Sequence, residues 1–214
     1  MKTVLFDLDG TLLDTLQDIA DSVNFAMGEM GFPTKTLEEV RKSVGNGIQK
    51  LIEGVVPDDK KDLAPKALEI FRPYYAAHSQ VKSAPYPGIL SLIDRLEKDG
   101  YACGIVSNKP NKAVVELAET FFPSFAAAAG EKEGVARKPH PDGIYRILEE
   151  IGGTKEASVY IGDSDVDIIT AKNAGIPAIA VTWGFRDRED LEKAGAVHFA
   201  DTAEELYERI REIL

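Results

Sequence analysis

Asp7 and Asp9 stand on either side of Leu8, ahead of Gly10 and Thr11 and directly behind the apolar run Val4-Leu5-Phe6. A glycine at that point lets the backbone turn sharply, which brings both carboxylates into one crowded pocket. Two carboxylates that close repel each other, so the pocket calls for a cation, a shared proton or both. Magnesium and phosphate chemistry meets that need. Asp9-Gly10 read alone is also an ordinary turn, because Asp and Gly are common turn residues and single Asp residues often cap helices. A carboxylate nucleophile for phosphoryl transfer needs partners, and three further groups along the chain supply them.

Val106-Ser107-Asn108 puts a hydroxyl and an amide where an apolar strand ends, the place at which open α/β sheets bind ligands. Ser107 can donate to a phosphoryl oxygen; the alternative is a Ser or Asn helix cap. In Arg137-Lys138-Pro139-His140-Pro141 the proline biases Lys138 towards an extended backbone, and an ammonium held inward neutralises a phosphoryl group or a phospho-aspartate. His140 reads as a surface-loop residue. Gly162-Asp163-Ser164-Asp165-Val166-Asp167 is again acidic and again follows a strand. With Asp163 as the first position of a Ca²⁺ loop, Ile168 replaces the required Gly and Ala174 the bidentate Glu, so Mg²⁺ fits better. Asp163 is the best ligand candidate, with Asp167 behind it. Four formal negative charges on Asp7, Asp9, Asp163 and Asp167 then face a divalent metal and Lys138. A proton on Asp9 removes the remaining charge, and a general acid needs such a proton when an alkoxide leaves.

The elements that must position these groups alternate between short apolar strands and amphipathic helices, the pattern of an α/β sheet. Val4-Leu5-Phe6 suits a parallel strand covered on both faces. Leu16, Ile19, Ala20, Val23, Ala26 and Met27 have helical spacing, and helical patterns persist from Leu37 to Ala77 where a second strand is due. This block reads as a helical bundle inserted after the first strand, a cap domain over 15–81, with 1–14 and 82–214 forming a Rossmann-like parallel-sheet core. Ala84-Pro85-Tyr86-Pro87-Gly88 is a stiff return linker. Further strands are expected at Tyr101 to Val106, Phe125 to Ala128, Ala157 to Ile161, Pro177 to Val181 and Val197 to Phe199. Helices are expected over Lys112 to Phe121, Asp142 to Ile151, Val166 to Ala174 and Ala203 to Ile213.

A chain of 214 residues with 44% hydrophobic content can bury a substantial core. Its formal net charge of −11 argues against nucleic acid or an anionic membrane as partner. Cys103 is the only cysteine and lies in an apolar run, so it reads as a buried strand thiol with no internal disulfide. Asp7 and Asp9 interrupt the first apolar run too early for a secretory signal, and a reducing cytoplasm fits.

Four signals in this order, each at a strand end, resemble the haloacid dehalogenase superfamily of aspartate-nucleophile phosphatases over essentially the whole chain. Asp7-Leu8-Asp9-Gly10-Thr11 looks like the family's first motif, Ser107 its second, Lys138 its third, and Gly162-Asp163 with Asp167 its fourth. The resemblance implies an HAD-like fold with a helical cap and an Mg²⁺-dependent phosphatase acting through an aspartyl-phosphate. Asp7, Asp9, Thr11, Ser107 and Lys138 are then its catalytic residues. Ser107 and Asn108 bind substrate, and Asp7, Asp9 (through its carbonyl), Asp163 and Asp167 form the metal site. The dehalogenase branch lacks the second aspartate that stands here as Asp9, so phosphatase outranks dehalogenase.

Val44-Gly45-Asn46-Gly47 and Val181-Thr182-Trp183-Gly184-Phe185 are similar to phosphoglycolate phosphatases, which implies a small phosphorylated metabolite, 2-phosphoglycolate first, as substrate. Gly45, Asn46 and Gly47 are accordingly expected at the substrate, although an interhelical turn explains them too, as loop packing explains Trp183. Lys50 is the first choice to meet a substrate carboxylate, with Arg41 and Lys42 as alternatives and solvated helix faces the plainer reading of all three. Pyrophosphatases, sugar-phosphate phosphatases and phosphosugar mutases share the core chemistry. A phospho-accepting receiver domain has no cap and does not open on an Asp7/Asp9 pair, and a silent binding homologue need not keep every polar group. Either a monomer or a homodimer is compatible with the chain.

Overall fold

In the computed structural model, which describes residues Met1–Leu214, Val4, Leu5 and Phe6 are fully buried on the first strand. A strand with no polar face needs cover on both sides, and the elements that follow provide it. In chain order these are β1 (Thr3–Phe6), β2 (Leu13–Asp14), α1 (Leu16–Glu29), α2 (Leu37–Ser43), α3 (Gly47–Val55), α4 (Ala64–His78), β3 (Ala84–Pro85), α5 (Ile89–Lys98) and β4 (Ala102–Pro110). There follow α6 (Asn111–Phe121), β5 (Ala127–Glu131), α7 (Asp142–Ile151), β6 (Ser158–Gly162), α8 (Asp165–Ala174), β7 (Ala178–Val181), α9 (Arg188–Ala194), β8 (His198–Ala200) and α10 (Ala203–Ile213).

The main sheet is parallel, with strand order β5-β4-β1-β6-β7-β8. Val4 and Phe6 point into a core completed by Leu92 and Leu96 of α5, Val114 and Leu117 of α6, and Leu206 and Ile210 of α10. Leu5 points the other way, with Tyr160, towards Ile144 and Ile147 of α7 and Ala171 and Ala174 of α8. The chain thus builds an α/β sheet with helices on both faces. The order grows outward from β1 through β4 and β5, then on the other side through β6, β7 and β8, so the reversal falls at β1. Ligands in such sheets bind beyond the strand ends at that reversal, and Asp7, Ser107 and Asp163 all lie there.

The chain divides into two compact units, Met1–Leu13 with Pro85–Leu214, and Asp14–Ala84. The second is helical, with α1 packed on α4 and a core that includes Val23, Met27, Ile52 and Phe71. In it the buried Asp18 carboxylate accepts from the backbone N–H groups of Lys82 and Ser83 and from the Ser83 hydroxyl, at 2.7 to 3.0 Å, tying the end of the unit to its first helix. No helix of the protein is long and apolar enough to cross a membrane.

Five elements depart from the sequence expectation, among them β2 and β3, strands of two residues each that were not expected. β4 runs on past Val106 to Pro110, with a register shift against β5 between those two residues. β5 lies at Ala127–Glu131 rather than Phe125 to Ala128, because an Ala-Ala-Ala-Gly-Glu segment carries almost no β-branched or aromatic signal. α9 was not expected at all; Leu191 is its only buried residue among mostly charged ones, so it shows no hydrophobic period.

Candidate active site

Asp7 follows β1 directly, and its N–H donates to Ile161 O at 2.9 Å, locking the first loop to β6. Gly10 turns that loop with φ of 88°, and a Cβ there would lie 2.4 Å from Asp163 Oδ2. Glycine is therefore required for conformation and for space. Asp163 follows β6 and is held on both oxygens: Thr11 Oγ1 donates to Oδ1 at 2.9 Å and Phe185 N–H to Oδ2 at 2.7 Å. Trp183 Nε1 donates to Thr11 O at 3.1 Å, and a Cβ on Gly184 would fall 2.2 Å from Asp163 Cβ. The loop after β7 thus clamps both Thr11 and Asp163, so Trp183 does more than pack.

Asp167 sits in the first turn of α8, fully buried, and completes a capping box with Ser164. Its Oδ2 accepts from Ser164 N and Oγ, while Oδ1 accepts from Lys138 Nζ at 2.7 Å. Lys138 Nζ also donates to Tyr160 Oη at 3.0 Å and lies 2.9 Å from Asp7 Oδ1. The backbone of Lys138 is gripped by Asn108, whose Oδ1 accepts from Lys138 N at 2.8 Å and whose Nδ2 donates to Lys138 O at 3.0 Å. The Asn108 amide, expected at the substrate, also fixes the lysine loop. Ser107 is buried beside it, its hydroxyl accepting from Lys109 N.

Asp7, Asp163 and Asp167 each bring a carboxylate oxygen within 4.8 Å of the others. Burial raises Asp7 to about 6, against the pull of Lys138 and with Asp167 and Asp9 adding to the rise. Asp163 is raised to about 8, first by burial and then by Asp167 and Asp7. Burial pulls the Lys138 ammonium down, but Asp167, Asp7 and Tyr160 outweigh it and hold its pKa well above the usual lysine range. Asp7 Oδ1 is a buried atom without a hydrogen-bond donor, since Lys138 lies within ion-pair distance but not in hydrogen-bonding geometry. An orphaned carboxylate oxygen among buried acids fits a hard divalent cation, which takes oxygen ligands.

Lys109 is the group that the sequence reading overlooked. Its Nζ lies 2.6 Å from Asp9 Oδ1, with the lysine side chain only 2% exposed. The signal was present, for Lys109-Pro110 repeats the Lys138-Pro139 pattern. The four carboxylates therefore meet two ammonium groups rather than one. Formally two negative charges remain, which one divalent ion would neutralise.

The remaining candidates belong to the helical unit. Gly45-Asn46-Gly47 joins α2 to α3, with φ of 116° at Gly45 and 81° at Gly47, backbone that favours glycine. Lys50 Nζ lies 2.6 Å from Glu53 Oε2, Arg41 Nε 2.8 Å from Glu38 Oε2 and Lys42 Nζ 3.3 Å from Glu38 Oε1.

Fold and site together define an α/β enzyme with an acidic, lysine-buttressed centre at the strand ends around β1. Residues 4–181 match the family described as haloacid dehalogenase-like hydrolase. A phosphoglycolate phosphatase from Mesorhizobium japonicum is 35% identical over 97% of this chain and 95% of its own length, and one from Vibrio parahaemolyticus 32% over the same shares. A solved structure of a predicted phosphoglycolate phosphatase from Lactobacillus delbrueckii subsp. bulgaricus has a TM-score of 0.91 at 38% identity, covering 98% of this chain and 99% of its own. The chain belongs to the haloacid dehalogenase-like hydrolase family. Within that family it is a phosphatase, hydrolysing phosphoric monoesters.

Proposed function

We propose that this phosphatase requires Mg²⁺, works through an aspartyl-phosphate on Asp7, and acts on 2-phosphoglycolate. The carrying observation is Asp7 itself, buried at the tip of β1 with one oxygen lacking a hydrogen-bond donor, between Lys138 and the second aspartate, Asp9. Asp7, the Asp9 carbonyl and Asp163 would hold the ion, with Asp167 behind them; when bound, it supplies positive charge against the phosphoryl oxygens and the crowded carboxylates.

An Asp7 oxygen attacks phosphorus and the ester P–O bond breaks, the leaving oxygen taking a proton from Asp9. Asp9 then takes a proton from water, whose oxygen attacks the phosphorus of the aspartyl-phosphate, releasing phosphate, freeing the Asp7 carboxylate and returning Asp9 to its protonated form. Lys138 and Ser107 hold the phosphoryl oxygens as charge develops on them. Thr11 and Phe185 keep Asp163 in place, and Asn108 keeps Lys138 in place. The core groups grip only the phosphate end that such esters share, so discrimination among esters is assigned to residues of the helical unit. The names of the relatives support 2-phosphoglycolate, as does the resemblance at Gly45-Asn46-Gly47 and Trp183-Gly184-Phe185.

Phosphate release with Mg²⁺ over a panel of small esters tests this. The kcat/KM for 2-phosphoglycolate should exceed that for ethyl phosphate, which lacks the carboxylate. Preference for pyrophosphate or a hexose phosphate overturns the substrate and leaves the catalytic centre standing.

A further inference from the structure

Lys109 has no task in the chemistry above, yet its placement is elaborate. Lysine is among the residues least often buried, and fixing its stem costs conformational entropy. Here β4 is bulged to bring it inside. Between the pairs Val106↔Ala129 and Pro110↔Glu131, β4 fits Ser107, Asn108 and Lys109 where β5 has only Gly130. Such bulges re-aim side chains next to active sites. The opposing glycine permits the close approach: a Cβ on Gly130 would lie 2.5 Å from Lys109 O and 2.7 Å from Asn111 Cα. Asn111 Oδ1 accepts from Gly130 N at 3.0 Å, stapling the bulge to β5. Pro110 also biases Lys109 towards extended backbone, as Pro139 does for Lys138. Two Lys-Pro dipeptides, from two different strand ends, thus each send an ammonium to one carboxylate of Asp7-Leu8-Asp9.

We propose that Lys109 is the positioning residue for Asp9, setting the orientation in which the Asp9 carboxylate exchanges protons with the leaving oxygen and with the attacking water. This rests on the reading of Asp9 as general acid and base. A carboxylate turns freely about two torsions, while proton transfer needs heavy atoms aligned at hydrogen-bond distance. A charge-assisted contact of 2.6 Å removes that freedom. Lys109 thus acts through Asp9, the carboxylate its ammonium holds.

A double-mutant cycle tests the proposal, using wild type, Asp9→Asn, Lys109→Met and the double variant, each with p-nitrophenyl phosphate and ethyl phosphate in single-turnover and steady-state assays. Misplacing a reacting group by about 1 Å costs on the order of 10²-fold, so Lys109→Met should lose about that much in the phosphorylation rate for ethyl phosphate. It should lose less for p-nitrophenyl phosphate, whose leaving group needs no proton, while KM changes by less than about threefold. In the Asp9→Asn background the same substitution should cost nothing further. A loss that multiplies with that of Asp9→Asn, or is equal for both leaving groups, overturns the assignment of Lys109. Full activity in Asp9→Asn overturns the Asp9 reading, and Lys109's task with it. If Lys109→Met does not fold, Lys109→Arg, which keeps the buried charge but changes its reach, takes its place under the same criteria.

Discussion

The cations of the two units answer to different partners. In the catalytic unit Lys109 and Lys138 are almost wholly buried and reach carboxylates 29 to 100 or more residues away in sequence. In the helical unit Lys42 and Lys50 are largely exposed and pair with Glu38 and Glu53, one helical turn away; Arg41 also pairs with Glu38. Removing one member of a buried pair leaves a charge stranded, at a cost of about 3 to 5 kcal/mol. An exposed pair is solvated before and after. The buried lysines are thus held rigidly, while the exposed cations of the helical unit can exchange partners cheaply.

The sharpest way to test the rigid half is at its centre. Asp7→Asn removes the proposed nucleophile while nearly conserving shape, so turnover should be abolished; phosphate release at the wild-type rate, with deamidation excluded by mass spectrometry, overturns the role of Asp7.

A smaller effect is expected from pH. The folded-state values of Asp7, about 6, and Asp163, about 8, lie above their ordinary 3.8, so the folded, metal-free protein holds protons that the unfolded chain has released. Stability from these groups is present at low pH and lost as pH rises from about 4 towards 8. One net pKa unit is about 1.4 kcal/mol, or about 3 to 6 °C for a protein of this size. The Tm in EDTA should therefore fall by at least that much between pH 5.5 and 8.5, and saturating Mg²⁺ should remove the fall. A Tm in EDTA that is flat or rises over this range contradicts the crowding of the cluster.

The smallest effect belongs to the exposed half. Lys50→Ala should leave Tm within about 2 °C, as surface substitutions do. It should shrink the kcat/KM advantage of 2-phosphoglycolate over ethyl phosphate by about tenfold or less, the scale of one solvated charge contact. An unchanged advantage moves the carboxylate contact to another group, and a large loss of Tm breaks the contrast between the units.

Much of this was legible in the sequence, and for a local reason. Apolar Val4-Leu5-Phe6, the acids and glycine behind it, Ser107 after an apolar run and Asp163 after another are signals carried by a few adjacent residues each, and their order along the chain marks the family. The helices of the second unit announce themselves by period. The partnerships were not legible in the same way. Asn108 grips Lys138, Thr11 serves Asp163, and Lys109 turns inward to Asp9. Each depends on β1, β4 and β6 lying side by side in one register and on a bulge opposite Gly130, features that no periodicity within a single segment encodes. Residue type and spacing determined which chemical groups the protein owns. Which of them meet was decided only when the parallel strands came together, because a hydrogen-bond partner is chosen by distance in space and not along the chain.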